Sequence, residues 1–360
     1  MRIFFTNEKY WLDKWDEFVS SNNRGSHLIL SDWLESYYSY GFEFEIGICV
    51  ENEEIIGGFG AVIAKKFLFK FYIIPHGPIF LDGFENKIML LLKELLLHAK
   101  KIKCCYVQYS LPCSENSIIE PYTYKNEFKR QIENLGTNGN LFKYIYSSYG
   151  INWLSFNSTN SPEELLQKFT IQARRNINLG YRNNIEIRYP KSEEECKLAY
   201  SLIEDNANLG NYSVRKFDDF KKAMLNLIHK NKGFLLTVSL NNEIKGAAFI
   251  VNCSNCLSYI SGGTKKEKPD LNIGYIIHWE AIKKSYELGY MGYNISMGGS
   301  KGVQEFKAKF MAEAVLFDDP HYYFILKPAL FKVYLFFNAY FKKNKERIAN
   351  ILKKSNKFFE

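Results

Sequence analysis

The sequence predicts an α/β protein built from two similar halves and a basic segment at the C-terminus. Three observations carry this prediction: an internal repeat of about 110 residues, a composition rich in apolar residues, and an uneven distribution of charge. With 46% apolar and 16% aromatic residues, the chain is expected to fold rather than remain disordered. Its length of 360 residues predicts roughly two domains.

Each half is centred on a predicted β-hairpin. In the first half, a strand over 45–50 and an apolar run over 59–64 flank the polar sequence Asn-Glu-Glu at 52–54. In the second half, a strand over 234–240 and an apolar run over 247–251 flank Asn-Asn-Glu at 241–243. A polar turn between two apolar runs is typical of a hairpin.

Helices are predicted around each hairpin in the same order, and Ser31 and Ser192 are expected to act as N-caps. The predicted helices lie at 8–20, 31–40 and 87–101 in the first half, and at 192–209, 216–229 and 274–288 in the second. The last helix of each half leads into a short strand, at 105–109 or 293–297. We therefore expect a first domain over 1–150, a second over 151–320 and a C-terminal tail over 321–360.

The positive charge of the chain is concentrated in this tail. The formal net charge is +8, but residues 321–360 contain nine lysines and arginines and two acids, so the rest of the chain is nearly neutral. A uniformly basic nucleic-acid-binding surface is therefore excluded. Two interpretations of the aromatic, basic tail are open: an amphipathic helix on an anionic membrane surface, or a helix packed on the second domain.

The seven cysteines are odd in number and irregularly spaced, which is typical of a reducing compartment. Together with an N-terminus that lacks the pattern of a signal peptide, this predicts a cytoplasmic protein. Cys253 and Cys256 are separated by two residues, but no second pair follows at the spacing of a zinc site. We interpret them as part of a hairpin turn and expect no metal site.

Four motifs, in order along the chain, resemble those of the FemABX aminoacyltransferases, the family that forms peptidoglycan bridges. They are Ser31-Asp-Trp33, Tyr72-Ile-Ile-Pro-His-Gly-Pro-Ile79, Phe169-Thr-Ile-Gln-Ala-Arg-Arg-Asn-Ile177, and Tyr293–Ser300 followed by Gly302–Phe310. The resemblance covers residues 1 to about 320. It implies two tandem GNAT-like domains, with mixed sheets and flanking helices. The composition of the tail, outside the resemblance, predicts a basic aromatic C-terminal helix after them.

The resemblance also implies the residues of the site. Aminoacyl transfer from a tRNA ester requires that the protein orient two substrates and stabilise the oxyanion that forms when an amine attacks the carbonyl. The family assigns this stabilisation to a lysine that follows a phenylalanine, here Lys307 and Phe306. The expected substrate-binding residues are Trp33, Tyr37, Arg174, Arg175, Arg215, Gly298, Gly299 and Ser300.

Three positions depart from the family pattern. Met311 stands where the last motif usually ends in glycine, and His76 stands where arginine is usual. Tyr37 occupies a position at which members often carry a lysine that holds the phosphates of a nucleotide-linked precursor. This last departure leaves the acceptor open between a nucleotide-linked and a lipid-linked precursor.

The resulting prediction is an aminoacyltransferase of cell-wall biogenesis and cell shape. It moves an amino acid from aminoacyl-tRNA, a co-substrate rather than a cofactor, onto an amine of a peptidoglycan precursor that is preferably lipid-linked. We expect it in the cytoplasm, with peripheral contact to the inner face of the plasma membrane through 321–360. One alternative is an N-acyltransferase that uses acetyl-CoA or another acyl-CoA on an amino sugar of a surface polysaccharide. The other is a non-catalytic GNAT-like binding module.

Overall fold

The computed structural model describes residues 1–66, 68–157 and 159–343. The first domain contains, in chain order, β1 (Arg2–Thr6), α1 (Lys9–Ser21), α2 (Ser31–Glu35), β2 (Glu43–Glu51), β3 (Glu54–Lys66), β4 (Phe69–Ile74), β5 (Ile79–Phe80), α3 (Ile88–Lys101), β6 (Tyr106–Ser110), α4 (Asn126–Arg130) and β7 (Thr137–Asn138). Short 3-10 helices lie at His27–Ile29, Ser36–Tyr40, Glu85–Lys87 and Ser117–Tyr122.

The second domain forms a separate sheet of seven strands. Its elements are β8 (Gly150–Ser155), α5 (Pro162–Lys168), α6 (Ile171–Tyr181), β9 (Glu186–Arg188), α7 (Glu193–Leu209), α8 (Phe217–His229), β10 (Gly233–Leu240), β11 (Glu243–Cys253), β12 (Cys256–Thr264), α9 (Ile273–Glu287), β13 (Gly292–Asn294), α10 (Lys301–Ala308) and β14 (Glu313–Leu316). The strand order is β14-β8-β13-β12-β11-β10-β9.

Both predicted hairpins are present, and both have the same turn geometry. Asn52 and Glu53 join β2 to β3 with φ angles of 49° and 68°, and Asn241 and Asn242 join β10 to β11 with 51° and 63°. Two consecutive left-handed residues define the tight turn that matches the twist of antiparallel strands, and asparagine tolerates this conformation well. The polar pairs in the sequence therefore fix where each hairpin turns.

Each half also contains two parallel strands that are connected through a helix. β4 pairs with β6 in parallel, across α3, and β12 pairs with β13 in parallel, across α9. All other strand pairs within the described residues are antiparallel, so each sheet is mixed. The predicted α/β class, two domains with mixed sheets and flanking helices, is confirmed.

The two expected N-caps differ. Ser192 caps α7 in a reciprocal capping box with Glu195, as the sequence predicts. Ser31 lies inside α2, whose N-cap is Leu30, so that prediction is wrong. Instead, the backbone N–H and the hydroxyl of Ser31 each donate a hydrogen bond of 2.7 Å to the buried carboxylate of Asp16.

The C-terminal segment returns to the first domain. β15 (His321–Ile325) pairs antiparallel with β6 and completes the order β1-β2-β3-β4-β6-β15-β7, with β5 beside β3. α11 (Pro328–Lys343) follows. Its buried Phe331 stacks on Tyr106 at a ring distance of 4.8 Å, and its buried Tyr334 packs edge to face against Phe71 at 4.7 Å. The structure therefore contradicts both a separate tail that begins at 321 and a helix packed on the second domain. Residues 344–360 of the predicted tail lie outside the described residues.

The two domains meet along α2 and α8. The Trp33 ring lies 5.4 Å from the Phe220 ring, edge to face. Beside it, the buried Asp32 accepts hydrogen bonds from Lys230 at 2.6 Å and Asn226 at 2.9 Å. A buried carboxylate is tolerated only when it is paired and hydrogen-bonded. These contacts fix α2, which carries Trp33, relative to the second domain.

Candidate active site

A cavity of about 660 Å³ lies between the two domains. From the first domain, Trp33 and Tyr37 line it, and Arg215, Ser296 and Met297 line it from the second. These residues are up to 264 positions apart in the chain, from Trp33 to Met297. The structure therefore brings three of the predicted substrate-binding residues, Trp33, Tyr37 and Arg215, into one wall. The interface between two domains is a common place for a ligand site.

Arg215 lies at the centre of an aromatic cage. Its guanidinium lies 4.4 Å from the ring centre of Tyr37, 5.0 Å from Trp33 and 5.2 Å from Phe220. It also donates a hydrogen bond to the hydroxyl of Ser36. No carboxylate forms an ion pair with Arg215 among the residues that the structure describes. The cage orients the cation by cation–π contacts and leaves its charge for an anionic ligand.

The remaining wall is aromatic and nearly uncharged. Arg215 is the only lysine or arginine that lines the cavity in the described part of the chain, and no aspartate or glutamate lines it there. Burial lowers the pKa of His27 to about 3 and that of His76 to about 4, so both rings are neutral at pH 7. The aromatic lining consists of Trp33, Tyr37, Tyr40, Phe42, Tyr122, Tyr144, Tyr146, Trp153, Tyr259 and Phe317.

Lys307 is buried directly behind the loop between β13 and α10. Its Nζ donates to the carbonyl oxygens of Ser296 at 2.8 Å and Gly298 at 3.1 Å, and Ser296 belongs to the cavity wall. Only 5% of the Lys307 surface is exposed, and burial lowers its pKa from 10.5 to about 8. Lys307 itself does not line the cavity, and neither do Phe306, Gly298, Gly299 and Ser300. Neutral carbonyl dipoles therefore hold an ammonium group just behind the cavity wall, and no carboxylate in the described part of the chain forms an ion pair with it.

Phe306 and His278 form the apolar surroundings of this lysine. The Phe306 ring packs against Tyr275 at 4.9 Å, Phe310 at 5.4 Å and His278 at 5.6 Å. Burial, reinforced by the charge of Lys307, lowers the pKa of His278 to about 3. His278 is therefore neutral and adds no second positive charge beside the Lys307 ammonium.

The glycines of the last motif shape the loop that holds Lys307. Gly298 and Gly299 have φ angles of 74° and 104°, which favour glycine. A Cβ atom on Gly299 would lie 2.6 Å from a methyl of Val303, so this position also lacks space for a side chain. Ser300 is the N-cap residue of α10, but its side chain forms no capping hydrogen bond and is exposed.

The arginine pair of the third motif lies elsewhere. Arg174 and Arg175 are on α6, outside the cavity wall, and Arg174 donates a hydrogen bond of 2.9 Å to Gln167. The N-terminal end of α6 contacts α10, because the backbone N–H of Thr170 donates to the Lys309 carbonyl at 3.3 Å. The predicted role of the two arginines in binding substrate stays a prediction.

Sequence analysis did not assign a role to the histidine–serine pair in the cavity wall. Nε2 of His76 lies 2.9 Å from the Arg24 carbonyl oxygen, and Nδ1 lies 2.8 Å from the Ser148 hydroxyl. Because a carbonyl can only accept, Nε2 carries the proton and Nδ1 accepts from Ser148. The signal for His76 was its place in the second motif, whereas nothing in the sequence marked Ser148.

Cys253 and Cys256 also line the cavity, as opposite residues of the hairpin turn between β11 and β12. Burial raises the pKa of each thiol to about 12, so neither is a reactive thiolate at neutral pH. Within 1–66, 68–157 and 159–343, no three His, Cys, Asp or Glu side chains are arranged to hold a metal ion.

The FemAB family model matches residues 12–242, a region that includes Trp33, Tyr37 and Arg215 and ends before Lys307. No curated protein matches the chain.

Similar solved structures cover nearly the whole chain at low sequence identity. A crystal structure of FemX superposes with a TM-score of 0.72 at 15% identity, covering 92% of this chain and 99% of that one. A conserved protein of unknown function from Bacteroides thetaiotaomicron gives 0.57 at 12% identity, covering 89% and 99%. A tandem GNAT protein from the clavulanic acid biosynthesis pathway gives 0.51 at 8% identity, covering 90% and 98%. From the match to most of its length and from this shared architecture, the chain belongs to the FemAB family and is an acyl- or aminoacyltransferase with tandem GNAT-like domains.

Proposed function

We propose that this protein transfers an amino acid from aminoacyl-tRNA to an amine of a lipid-linked peptidoglycan precursor. The observation that carries this proposal is the buried ammonium of Lys307, held by two carbonyl oxygens just behind the wall of the interdomain cavity. Aminoacyl-tRNA and the precursor are both co-substrates, and the reaction uses no bound cofactor. In the cell the reaction would serve cell-wall biogenesis and cell shape.

The chemistry requires little beyond positioning and charge. The acceptor amine attacks the ester carbonyl of the aminoacyl group, and a tetrahedral oxyanion forms. An amide bond then replaces the ester C–O bond, and the proton lost by the amine ends on the ribose oxygen of the tRNA. An ammonium group has three N–H donors, and the two carbonyls engage two of them. We assign the third to the oxyanion, where low polarity strengthens the interaction.

Arg215 is the group that would bind the acceptor. Its caged guanidinium suits a phosphate oxygen of the precursor, since arginine binds phosphate in a planar, two-pronged geometry. Tyr37 stands where relatives often place a second cation, so this wall offers one positive side chain rather than two. The aromatic surfaces beside it would contact the sugar and peptide parts of the precursor.

An acyl-CoA-dependent N-acyltransferase that acts on an amino sugar is the second candidate. The observation that favours it is the same aromatic lining, which offers flat apolar faces and few charges for a sugar ring. This second reaction would use the same fold and the same acceptor cavity, with an acyl-CoA instead of aminoacyl-tRNA as the donor.

A donor competition separates the two candidates. The full-length protein is incubated with a lipid-linked peptidoglycan precursor and either aminoacyl-tRNA or acetyl-CoA, and the acceptor is analysed by mass spectrometry. We expect the mass of one amino acid to be added with the charged tRNA and no change with acetyl-CoA. A mass gain that occurs only with acetyl-CoA would reject the first proposal in favour of the second.

A further inference from the structure

Helix α11 carries apolar side chains on two opposite faces. One face is buried against the first domain through Phe331 and Tyr334. The other exposes Val333 and Phe336, which are three positions apart and 45% and 71% exposed. Residues at this spacing share one side of a helix. A surface helix of a globular protein normally places polar residues there, so this face requires a partner.

The tip of the β3–β4 hairpin extends the same surface. Leu68 is 83% exposed at this tip, and the exposed Lys65 and Lys66 precede it. The tip lies alongside α11, because the ring of Phe69 packs 5.5 Å from the ring of Tyr334. The hairpin tip therefore presents an exposed apolar side chain next to basic ones, and α11 presents the same combination.

The charge of this region is complementary to an anionic surface. Lys332 is exposed on α11, and the helix ends with Lys342 and Lys343. The 17 residues beyond it, 344–360, add five lysines and arginines and two acids in sequence. Each basic residue near an anionic bilayer contributes on the order of 1 kcal/mol to binding. Bulky apolar side chains with clustered cations are typical of segments that lie in the membrane interface.

Helix α11 and the hairpin tip also contact the rim of the cavity. The hydroxyl of Tyr144, a cavity-lining residue, donates a hydrogen bond of 2.9 Å to Asn338 on α11. On the same tyrosine, the ammonium of Lys66 lies 5.4 Å from the ring centre. Tyr144 therefore links the rim of the cavity to both α11 and the hairpin tip.

We propose that the exposed face of α11 and the β3–β4 hairpin tip form a docking surface for an anionic phospholipid bilayer. In this arrangement the protein lies on the surface of the membrane. No helix among the described residues is long and apolar enough to cross one. Docking places the rim at Tyr144 next to the lipid headgroups, where the head of a lipid-linked acceptor can enter the cavity. This last consequence rests on the proposed function, whereas the docking surface itself does not.

Vesicle binding of the full-length protein tests the surface without any substrate. We compare the wild type with the double variant Val333→Ser/Phe336→Ser, using vesicles of phosphatidylglycerol and phosphatidylcholine or of phosphatidylcholine alone. The matched control is Leu198→Ser/Leu209→Ser on α7, whose side chains are 63% and 68% exposed. Point variants are required because truncation before residue 321 would remove β15 from the first sheet.

We expect the wild type to bind the anionic vesicles, more weakly as salt is raised, and to bind the neutral ones poorly. The α11 variant should bind about tenfold more weakly and the α7 control unchanged. Wild-type protein that fails to bind anionic vesicles, or an α11 variant that binds as tightly as wild type, overturns the proposal. So does a variant that only dissociates a dimer, which would show that a second copy covers this face. Protein that binds vesicles but transfers no amino acid contradicts the proposed function and supports the docking surface.

Discussion

Replacement of Lys307 by methionine should separate catalysis from folding. Methionine retains the apolar stem and removes the ammonium that donates to Ser296 and Gly298. Loss of a preorganised donor to an oxyanion reduces kcat by about 10²–10³, on the order of 3 kcal/mol. The KM for the acceptor should change little, because Arg215, which we propose binds that substrate, lines the cavity and Lys307 does not. Steady-state aminoacyl transfer with purified protein measures both constants.

The same variant should not lose stability. A pKa of about 8 instead of 10.5 means that the folded state holds the ammonium of Lys307 roughly 3 kcal/mol less favourably than the unfolded chain does. The unfolded chain therefore binds more protons between pH 8 and 10.5, so this lysine makes stability rise with pH in that window. Lys307→Met should have an unchanged or higher Tm at pH 7 and a flatter stability profile from pH 8 to 10.5.

Two results would refute this reasoning. The first is Lys307→Met with a kcat within about threefold of wild type, and the second is a loss of activity accompanied by unfolding. Lys309→Met is the matched control, since Lys309 is two residues further along and its Nζ contacts the Tyr275 hydroxyl instead. It should retain activity. If the ammonium form of Lys307 is the active one, wild-type transfer should also decline as the pH rises through about 8.

Three further predictions concern binding, the loop and the domain interface. Arg215→Gln should raise the KM for the acceptor about tenfold or more, because a phosphate loses its charged partner, and an unchanged KM would contradict this role. Gly299→Ala should lower the Tm and the activity because a Cβ meets a valine methyl at 2.6 Å, whereas Gly302→Ala, where the space is open, should do neither. Lys230→Met should reduce the free energy of unfolding by about 2 kcal/mol, since it deprives a buried carboxylate of its partner. Lys222→Met, which breaks an exposed pair, should cost less than about 1 kcal/mol, and equal losses in denaturant titration would contradict the distinction.

The local parts of the fold were predictable because short-range chemistry determines them. The pair Asn241 and Asn242 adopts the left-handed conformation that a tight hairpin requires, and Ser192 caps its helix with the help of Glu195. Ser31, like Ser192, stands at the start of a predicted helix, but it donates its hydrogen bonds to the buried Asp16 instead of capping the helix. A cap is predicted only from neighbours in sequence. The contact of Ser31 with Asp16, which lies on another helix, therefore could not be predicted in this way.

The strand at His321–Ile325 was not predicted, for a similar reason. His321 to Ile325 has an aromatic, apolar sequence that suits a helix as well as a strand, and it becomes a strand because β6 offers an edge. That partner begins at Tyr106, more than 200 residues earlier. Pairing over such a distance leaves no periodic signal in the segment itself.

For the candidate site, the sequence pointed to some of the residues and missed others. The last motif pointed to Lys307, and the family resemblance pointed to Arg215. Arg215 lines the cavity, whereas Lys307 does not line it and contacts its wall through the carbonyl oxygen of Ser296. The Ser148 hydroxyl was missed because it is defined only by its contact with His76. Arg174, which the third motif emphasised, lies on a helix outside the cavity wall. Motif spacing therefore did not predict which helix faces the cavity.

The position of β15 has a consequence for how the protein is made. This strand lies between β6 and β7, so the sheet of the first domain stays incomplete until residue 325 has left the ribosome. By then the whole second domain has been synthesised and is available to fold. The N-terminal domain is thus the last to be finished, and its open edge at β6 remains exposed for the time taken to translate about 210 residues.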